Sequence, residues 1–284
     1  MSGNAPPLPK EHIYDAQAFA LEGDLELPLQ AEIKPQAFVN LPAGGGYLSE
    51  RAHDYRLEGV ISFHAAYSQV SGNRDRKPDH GFVTLATSVL EDFNILDVVT
   101  ADRIVAQVSI EHPLSGDVPS ITFLGTRFEN LRIAGHPVRL DLEPDFFGGK
   151  PENDCPWSEK KDFRERVAAQ HDHIRRQSNL PAEIAERYNR LPSNPGSQES
   201  IECSLVQRAE GSYPGRTLGH VIDVPHFGRV YLATVRLVET RDPKTGAVST
   251  LFRLTMIEAK MGCIGHGKAS GGNTIVNGAT KGSG

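Results

Sequence analysis

A few side chains near the end of the chain have the chemistry of metal ligands. His220 and His226 are separated by an even number of positions, so a strand would place both on one face, with Asp223 on the other. Cys263 and His266 could complete a zinc site there if the fold brings the tail beside this strand. These four histidine and cysteine side chains are the weak candidate metal ligands, and no cofactor is otherwise predicted.

Two other patterns resemble known sites but fail on geometry. His171 and His173 would point about 200° apart on a helix, so they cannot share one ion and are predicted to face solvent. Residues 262–269 have the spacing of a phosphate-binding loop, but Ala269 replaces the required Ser or Thr, and no helix is predicted to follow. Nucleotide binding is therefore not predicted, and the catalytic residues are unknown.

Composition excludes several classes of protein. Thirty basic and 36 acidic residues give a net charge of −6, without the basic excess that binding to nucleic acid requires. Hydrophobic residues make up 38%, yet no run approaches the length of a transmembrane segment. The start, MSGNAPPLPKEH, has no apolar leader region, which predicts a cytoplasmic protein or a mature exported form. Cys155, Cys203 and Cys263 are odd in number and far apart, so no complete disulfide framework is expected.

Short apolar runs separated by Gly, Pro and Asn dominate the chain and predict β-strands. In ILDVVTADRIVAQVSIEH, Ile104, Val108 and Ile110 alternate as one face of a strand would, with Ala106 between them. The clearest hairpin joins RVYLATVRLVE to STLFRLTMIEAK through a loop at residues 242–246. The glycine-rich tail after residue 262 is predicted to contain one edge strand.

Residues 151–200 break this pattern and predict a helical hairpin. Ser158 is the expected N-cap of a first helix, and Asn179-Leu180-Pro181 follows its end. A second helix would carry Ile184, Tyr188 and Leu191 on one stripe. The many charges of residues 151–200 nearly balance, which favours a solvated face over a docking surface.

The order of segments resembles the choice-of-anchor P family of bacterial surface-type β domains. The resemblance rests on Thr100-Ala101-Asp102, on residues 130–138, on residues 228–232 and on the glycine-rich close at 262–271. It spans nearly the whole chain except the helical segment, and the motifs are turns and alternations. It implies an exported, surface-associated protein with a structural, adhesive or assembly role, and it brings no catalytic residues.

These observations predict one mainly β domain over residues 1–284, an antiparallel β-sandwich or β-barrel with a helical-hairpin insertion at 151–200. The leading hypothesis is a noncatalytic structural or interaction protein, a homo-oligomer or assembly that self-associates through β edges or ordered terminal arms. The alternative is an enzyme or small-ligand binder that uses a pocket of the β fold with His220, His226 and nearby acids.

Overall fold

The structure is a computed structural model, and it describes residues 11–27, 30–75, 81–114, 116–189, 200–244, 246, 248–262 and 266–281. The helices are α1 (Lys161–Arg175) and α2 (Ala182–Arg187), preceded by short 3-10 turns at Glu152–Asp154 and Trp157–Glu159. The strands are β1 Glu11–Leu27, β2 Ala31–Gln36, β3 Val39–Asn40, β4 Gly46–Leu57, β5 Ile61–Arg74, β6 Phe82–Ile95, β7 Val99–His112, β8 Ser120–Thr122, β9 Arg127–Glu129, β10 Arg132–Ile133, β11 His136–Pro137, β12 Arg139–Leu142, β13 Ile201–Ser204, β14 Val206–Glu210, β15 Arg216–Leu218, β16 Val221–Val224, β17 Gly228–Arg241, β18 Val248–Met261 and β19 His266–Lys281.

Two large antiparallel sheets face each other, and β12 pairs with β14 in a separate two-stranded sheet. Sheet I has nine strands in the order β15-β16-β17-β18-β19-β1-β2, with β13 beside β17 and β3 beside β1. Sheet II has eight strands in the order β11-β10-β7-β6-β5-β4, with β8 and β9 beside β7. Strands β1 and β19 pack on β5, β6 and β7, so the main hydrophobic core lies between the sheets. A mainly β architecture with a helical insertion is confirmed, and the two separate sheets form a sandwich.

Local predictions for the strands have mixed outcomes. The hairpin at residues 242–246 is confirmed, because β17 pairs with β18 from Gly228↔Met261 to Arg241↔Val248. The single buried face of Ile104, Val108 and Ile110 is also confirmed. The predicted edge strand in the tail is wrong, because β19 pairs with β18 on one side and β1 on the other. Its small residues suit an interior position, because a Cβ on Gly267 would lie 2.4 Å from the backbone oxygen of Asp24 in β1, and a Cβ on Gly23 of β1 would lie 2.5 Å from that of Lys268.

In sheet II, the alternation of inward and outward side chains is interrupted at the same level on neighbouring strands. On β5, His64 and Ala65 separate the buried residues Phe63 and Ala66, and β6 and β7 show the same spacing without a change in pairing register. Each strand therefore carries one extra outward residue at this level. We call these exposed residues the outer row: Asp54, His64, Asp92 and Asp102.

Sheet I has a matching shift with the extra residues turned inward. On β17, Leu232 and Ala233 are consecutive buried residues, and Ala233 has a positive φ of 45°. A Cβ on Gly272 would lie 3.2 Å from Ile104 of sheet II, which places the two shifts opposite each other. The sheets thus deform together, which keeps the core filled. We call the inward residues the inner row: Ala20, Ala233, Met256 and Gly272.

The helical segment starts later than predicted. Ser158 lies in the turn Trp157–Glu159, and α1 begins at Lys161 with Lys160 at the N-cap position and no side-chain cap. The prediction for Ser158 is wrong because a buried carboxylate binds this turn: Glu239 accepts from the backbone N–H groups of Trp157 and Ser158, each at 2.8 Å. The Ile184 and Tyr188 stripe is confirmed as buried, and Leu191 lies outside the described residues.

Candidate functional sites

The helical segment wraps around the edge of sheet I. Phe163 and Val167 of α1 belong to the main core between the sheets. Ile174 at the end of α1, together with Ile184 and Tyr188, belongs instead to a second hydrophobic cluster with Tyr231. Tyr231 points away from the main core, because its neighbours Val230 and Leu232 lie within it. This wrapping places α2 on the outer face of sheet I.

Charged side chains hold α2 on that face. Arg187 Nε donates to Glu202 Oε1 at 2.6 Å, and its two terminal nitrogens donate to Glu258 at 3.1 Å. The guanidinium carbon also lies 4.0 Å from the ring centroid of Tyr231. Burial alone would raise the pKa of Glu202, but Arg187 and Arg236 outweigh it and hold that pKa below its ordinary value. The expectation that the charged face of this segment is wholly solvated is therefore wrong for Arg187. Sequence periodicity could not distinguish Arg187 from its exposed neighbours.

His171 corrects a second expectation about this segment. It is buried rather than exposed, and its Nε2 lies 2.7 Å from the backbone oxygen of Glu202. Burial lowers the pKa of His171 and so favours its neutral ring. The neutral ring still has one proton, which is enough for this hydrogen bond. His173 is exposed as predicted. The reason for the difference is the wrapped path of α1, whose His171 side faces β13.

Tyr188 connects Glu202 to His220. The Tyr188 hydroxyl lies 2.7 Å from His220 Nε2 and 3.4 Å from Glu202 Oε1. We assign the Tyr188 proton to Glu202, whose ionised carboxylate can only accept, and under this assignment His220 Nε2–H donates to the tyrosine oxygen. Burial raises the pKa of Tyr188 well above its ordinary value and lowers the pKa of His220 to about 3, which keeps both groups neutral. We call Glu202, Tyr188 and His220 the relay.

The far end of the relay lines an open pocket. His220 Nδ1 is buried and has no hydrogen-bond partner among the described residues. Leaving such a group without a partner costs about 1–3 kcal/mol, so it calls for an explanation. The pocket has a volume of about 430 Å³, within the range of small-molecule sites. Phe146, Val206 and Ala209 supply apolar lining, and Gln170 and Arg208 contribute to its polar part.

The structure does not assemble the predicted metal site from the residues it describes. His220 precedes β16 and is buried, whereas His226 follows β16 and is exposed, so the two histidines lie at opposite ends of that strand. Cys263 lies outside the described residues, and His266 begins β19 with its side chain also undescribed. Within the described part of the chain, no three His, Cys, Asp or Glu side chains are grouped to hold a metal ion.

The phosphate-loop pattern also fails within the described residues. Residues 263–265 are not described, but Lys268 and Ala269 lie in β19. A strand rather than a helix therefore follows the pattern, so no helix N-terminus faces a phosphate at this place.

One edge of sheet II is long and open. β4 pairs with β5 on one side, and no described strand pairs with its other side. The strands at the other ends of the two large sheets are shorter: β2 has six residues, β15 three and β11 two, against 12 for β4. Tyr47 is 63% exposed and Leu48 41% exposed on this strand. The pattern of polar and apolar residues in GYLSERAHDYRL gives little sign of an edge, since pairing partners are set by tertiary structure.

Comparison with known families identifies the family of this chain. The sequence profile of a domain of unknown function, DUF8256, matches residues 12–238. The chain belongs to this family. The matched residues run from β1 into β17 and include α1, α2 and the relay. Neither a curated protein nor a solved structure matches the chain. Membership of DUF8256 does not bear on the resemblance to choice-of-anchor P domains, which stays a prediction.

No helix in the described ranges is long and apolar enough to cross a membrane. The terminal arms that the sequence suggested for assembly fall on residues 1–10 and 282–284, outside the described residues.

Proposed function

We propose that this DUF8256 protein is a noncatalytic interaction protein that self-associates through β4. The observation that carries the proposal is the open side of a 12-residue edge strand. Such a strand spans about 40 Å and presents backbone N–H and C=O groups to an added strand. A second copy of the chain supplies an identical strand, and a two-fold axis normal to the sheet would join two copies into one continuous sheet.

Charges along β4 favour one register for this pairing. The regular part of the strand ends at His53, because Asp54 has a positive φ of 50° and belongs to the outer row. A two-fold axis at Glu50 or at Arg51 would bring two like charges face to face. An axis at Ser49 avoids this and pairs Gly46 to Ala52 along the strand.

The register centred on Ser49 also gives favourable neighbours. It places Tyr47 opposite Arg51 of the second copy, twice by symmetry, and a cation can pack on the tyrosine ring there. Leu48 lies opposite Glu50, whose aliphatic stem can cover it. Both exposed apolar side chains of this strand end are thereby covered.

Cross-linking tests this arrangement. In a Ser49→Cys variant the two new thiols would face each other across the axis, where Cα atoms about 4.5–5.5 Å apart suit a disulfide. We expect a disulfide-linked dimer under mild oxidation. Leu124→Cys is the matched control, because Leu124 is 64% exposed in the turn between β8 and β9 and lies away from the axis.

Light scattering and sedimentation separate the possible failures. The proposal expects a concentration-dependent dimer that Ser49→Lys dissociates and Leu124→Lys leaves intact. A dimer that persists in Ser49→Lys would place the interface elsewhere. A strict monomer at high concentration would end the proposal of self-association altogether.

A further inference from the structure

We infer that the pocket beside His220 binds a small, largely apolar, uncharged molecule through a hydroxyl or N–H group that donates to His220 Nδ1. The site is separate from the proposed β4 interface and does not depend on it. Three features of the structure carry the inference: the relay, the pocket and the opposite charges at its rim.

The relay determines what His220 can offer a ligand. Arg187 and Arg236 bind Glu202 at 2.6 Å and 3.2 Å, so this carboxylate accepts hydrogen bonds only. In the assigned arrangement Tyr188 directs its one proton to Glu202, and His220 directs its Nε2 proton to Tyr188. Nδ1 is then left with a lone pair. A buried lone pair beside a pocket is complementary to a hydrogen-bond donor, not to an anion or a carbonyl oxygen.

The surrounding backbone holds His220 in place. Gly219 has a φ of +66°, and a Cβ there would lie 3.1 Å from Ile174 of α1. His220 also accepts, through its backbone oxygen, the N–H of Leu232 at 3.1 Å. The ring is thus held between α2 and the start of β16, and because Nδ1 is buried, a ligand donor reaches it only when neighbouring side chains of the pocket move aside.

The residues that line the pocket determine the polarity, charge and size of the ligand that fits. Phe146, Val206 and Ala209 favour an apolar body. Glu143 and Arg208 carry opposite charges in the same lining, so the rim favours neither an anion nor a cation. A volume of about 430 Å³ accommodates a small organic molecule rather than a polymer.

Histidine side-chain ¹⁵N NMR with phenol as the probe tests the inference. The free protein should show His220 as the Nε2–H tautomer, assigned by its loss in His220→Gln. Phenol should shift the Nδ1 resonance saturably, whereas benzene, which has the same ring and no hydrogen-bond donor, should not. His220→Phe should weaken phenol binding about tenfold, the effect of one hydrogen bond.

A variant that fills the pocket distinguishes a loss of ligand binding from misfolding. Ala209→Trp should abolish the phenol response while the Nε2–H tautomer and the circular dichroism spectrum stay unchanged. The inference is overturned by an Nδ1–H tautomer in the free protein, by equal responses to phenol and benzene, or by a phenol response that survives in Ala209→Trp. Absence of any His220 response up to the solubility limit of phenol also overturns it.

Discussion

Gly272 of sheet I lies directly against Ile104 of sheet II, where a Cβ on the glycine would stand 3.2 Å from Ile104 Cγ2. The Cβ and Cγ of Met256 would each lie 3.1 Å from that added Cβ, and Gly272 has a φ of +64°. The inner row therefore needs a residue without a side chain at this position.

Gly272→Ala should destabilise the fold by about 1–3 kcal/mol, because the new methyl group meets both neighbours in a strained backbone conformation. Urea unfolding followed by circular dichroism measures the change. Gly149→Ala is the matched control, since nothing lies within 4 Å of a Cβ at Gly149 and no positive φ is found there. Equal midpoints for the two variants would contradict the close packing of the inner row.

Removing Arg187 should destabilise the docking of α2. Arg187→Ala leaves Glu202 and Glu258, whose side chains are 12% and 8% exposed, without their shared partner. Breaking a buried ion pair in this way costs about 3–5 kcal/mol. Chemical denaturation gives the free energy of unfolding, with Arg208→Ala as a control because its pairing with Glu210 is exposed. A loss no larger than in the control would show that the buried carboxylates do not depend on Arg187.

Stability should fall as the solution is acidified below pH 6.5. Burial lowers the pKa of His220 from 6.5 to about 3, so the unfolded chain takes up a proton that the folded chain does not. The contribution of His220 is fully present above pH 6.5 and is lost progressively as the pH falls toward 3. Between pH 6.5 and 5 this amounts to about 2 kcal/mol.

Denaturation at pH 7.5, 6 and 5 measures this slope, and His220→Gln should make it shallower. His12, whose pKa burial lowers to about 4, contributes in the same direction and remains in the variant. Below pH 4.5, Glu202 and Glu258 add a further loss, because their folded pKa values lie under that ordinary value. An identical slope in wild type and His220→Gln would show that His220 takes up its proton as readily in the folded protein as in the unfolded chain.

Glu239 should anchor the start of the helical segment. It is 5% exposed and accepts from the backbone of both Trp157 and Ser158. Glu239→Ala leaves these two N–H groups without that acceptor and should cost about 2–4 kcal/mol. Hydrogen exchange at these two amides, compared with amides of β6, should rise selectively. Uniform exchange across the protein would instead indicate global destabilisation.

Much of the β architecture could be predicted because it depends on local pattern. Alternation placed Ile104, Val108 and Ile110 on one buried face, and Pro and Gly in residues 242–246 marked the hairpin. The interruption at residues 151–200 was visible because the hydrophobic period changed. The same approach failed for the tail: a run of glycines is typical of a loose edge, whereas β19 uses its small residues to lie between two strands.

The sequence by itself determined the strand and helix content, the hairpin and the buried stripe of α2, because period and turn chemistry act over a few residues. Only the tertiary structure decided that His171 and Arg187 are buried, that His220 and His226 lie apart, and that β4 is the open edge. Those outcomes depend on contacts between residues far apart in the chain, such as Arg187 with Glu258. Hydrophobic period carries no information about which distant partner a polar side chain meets.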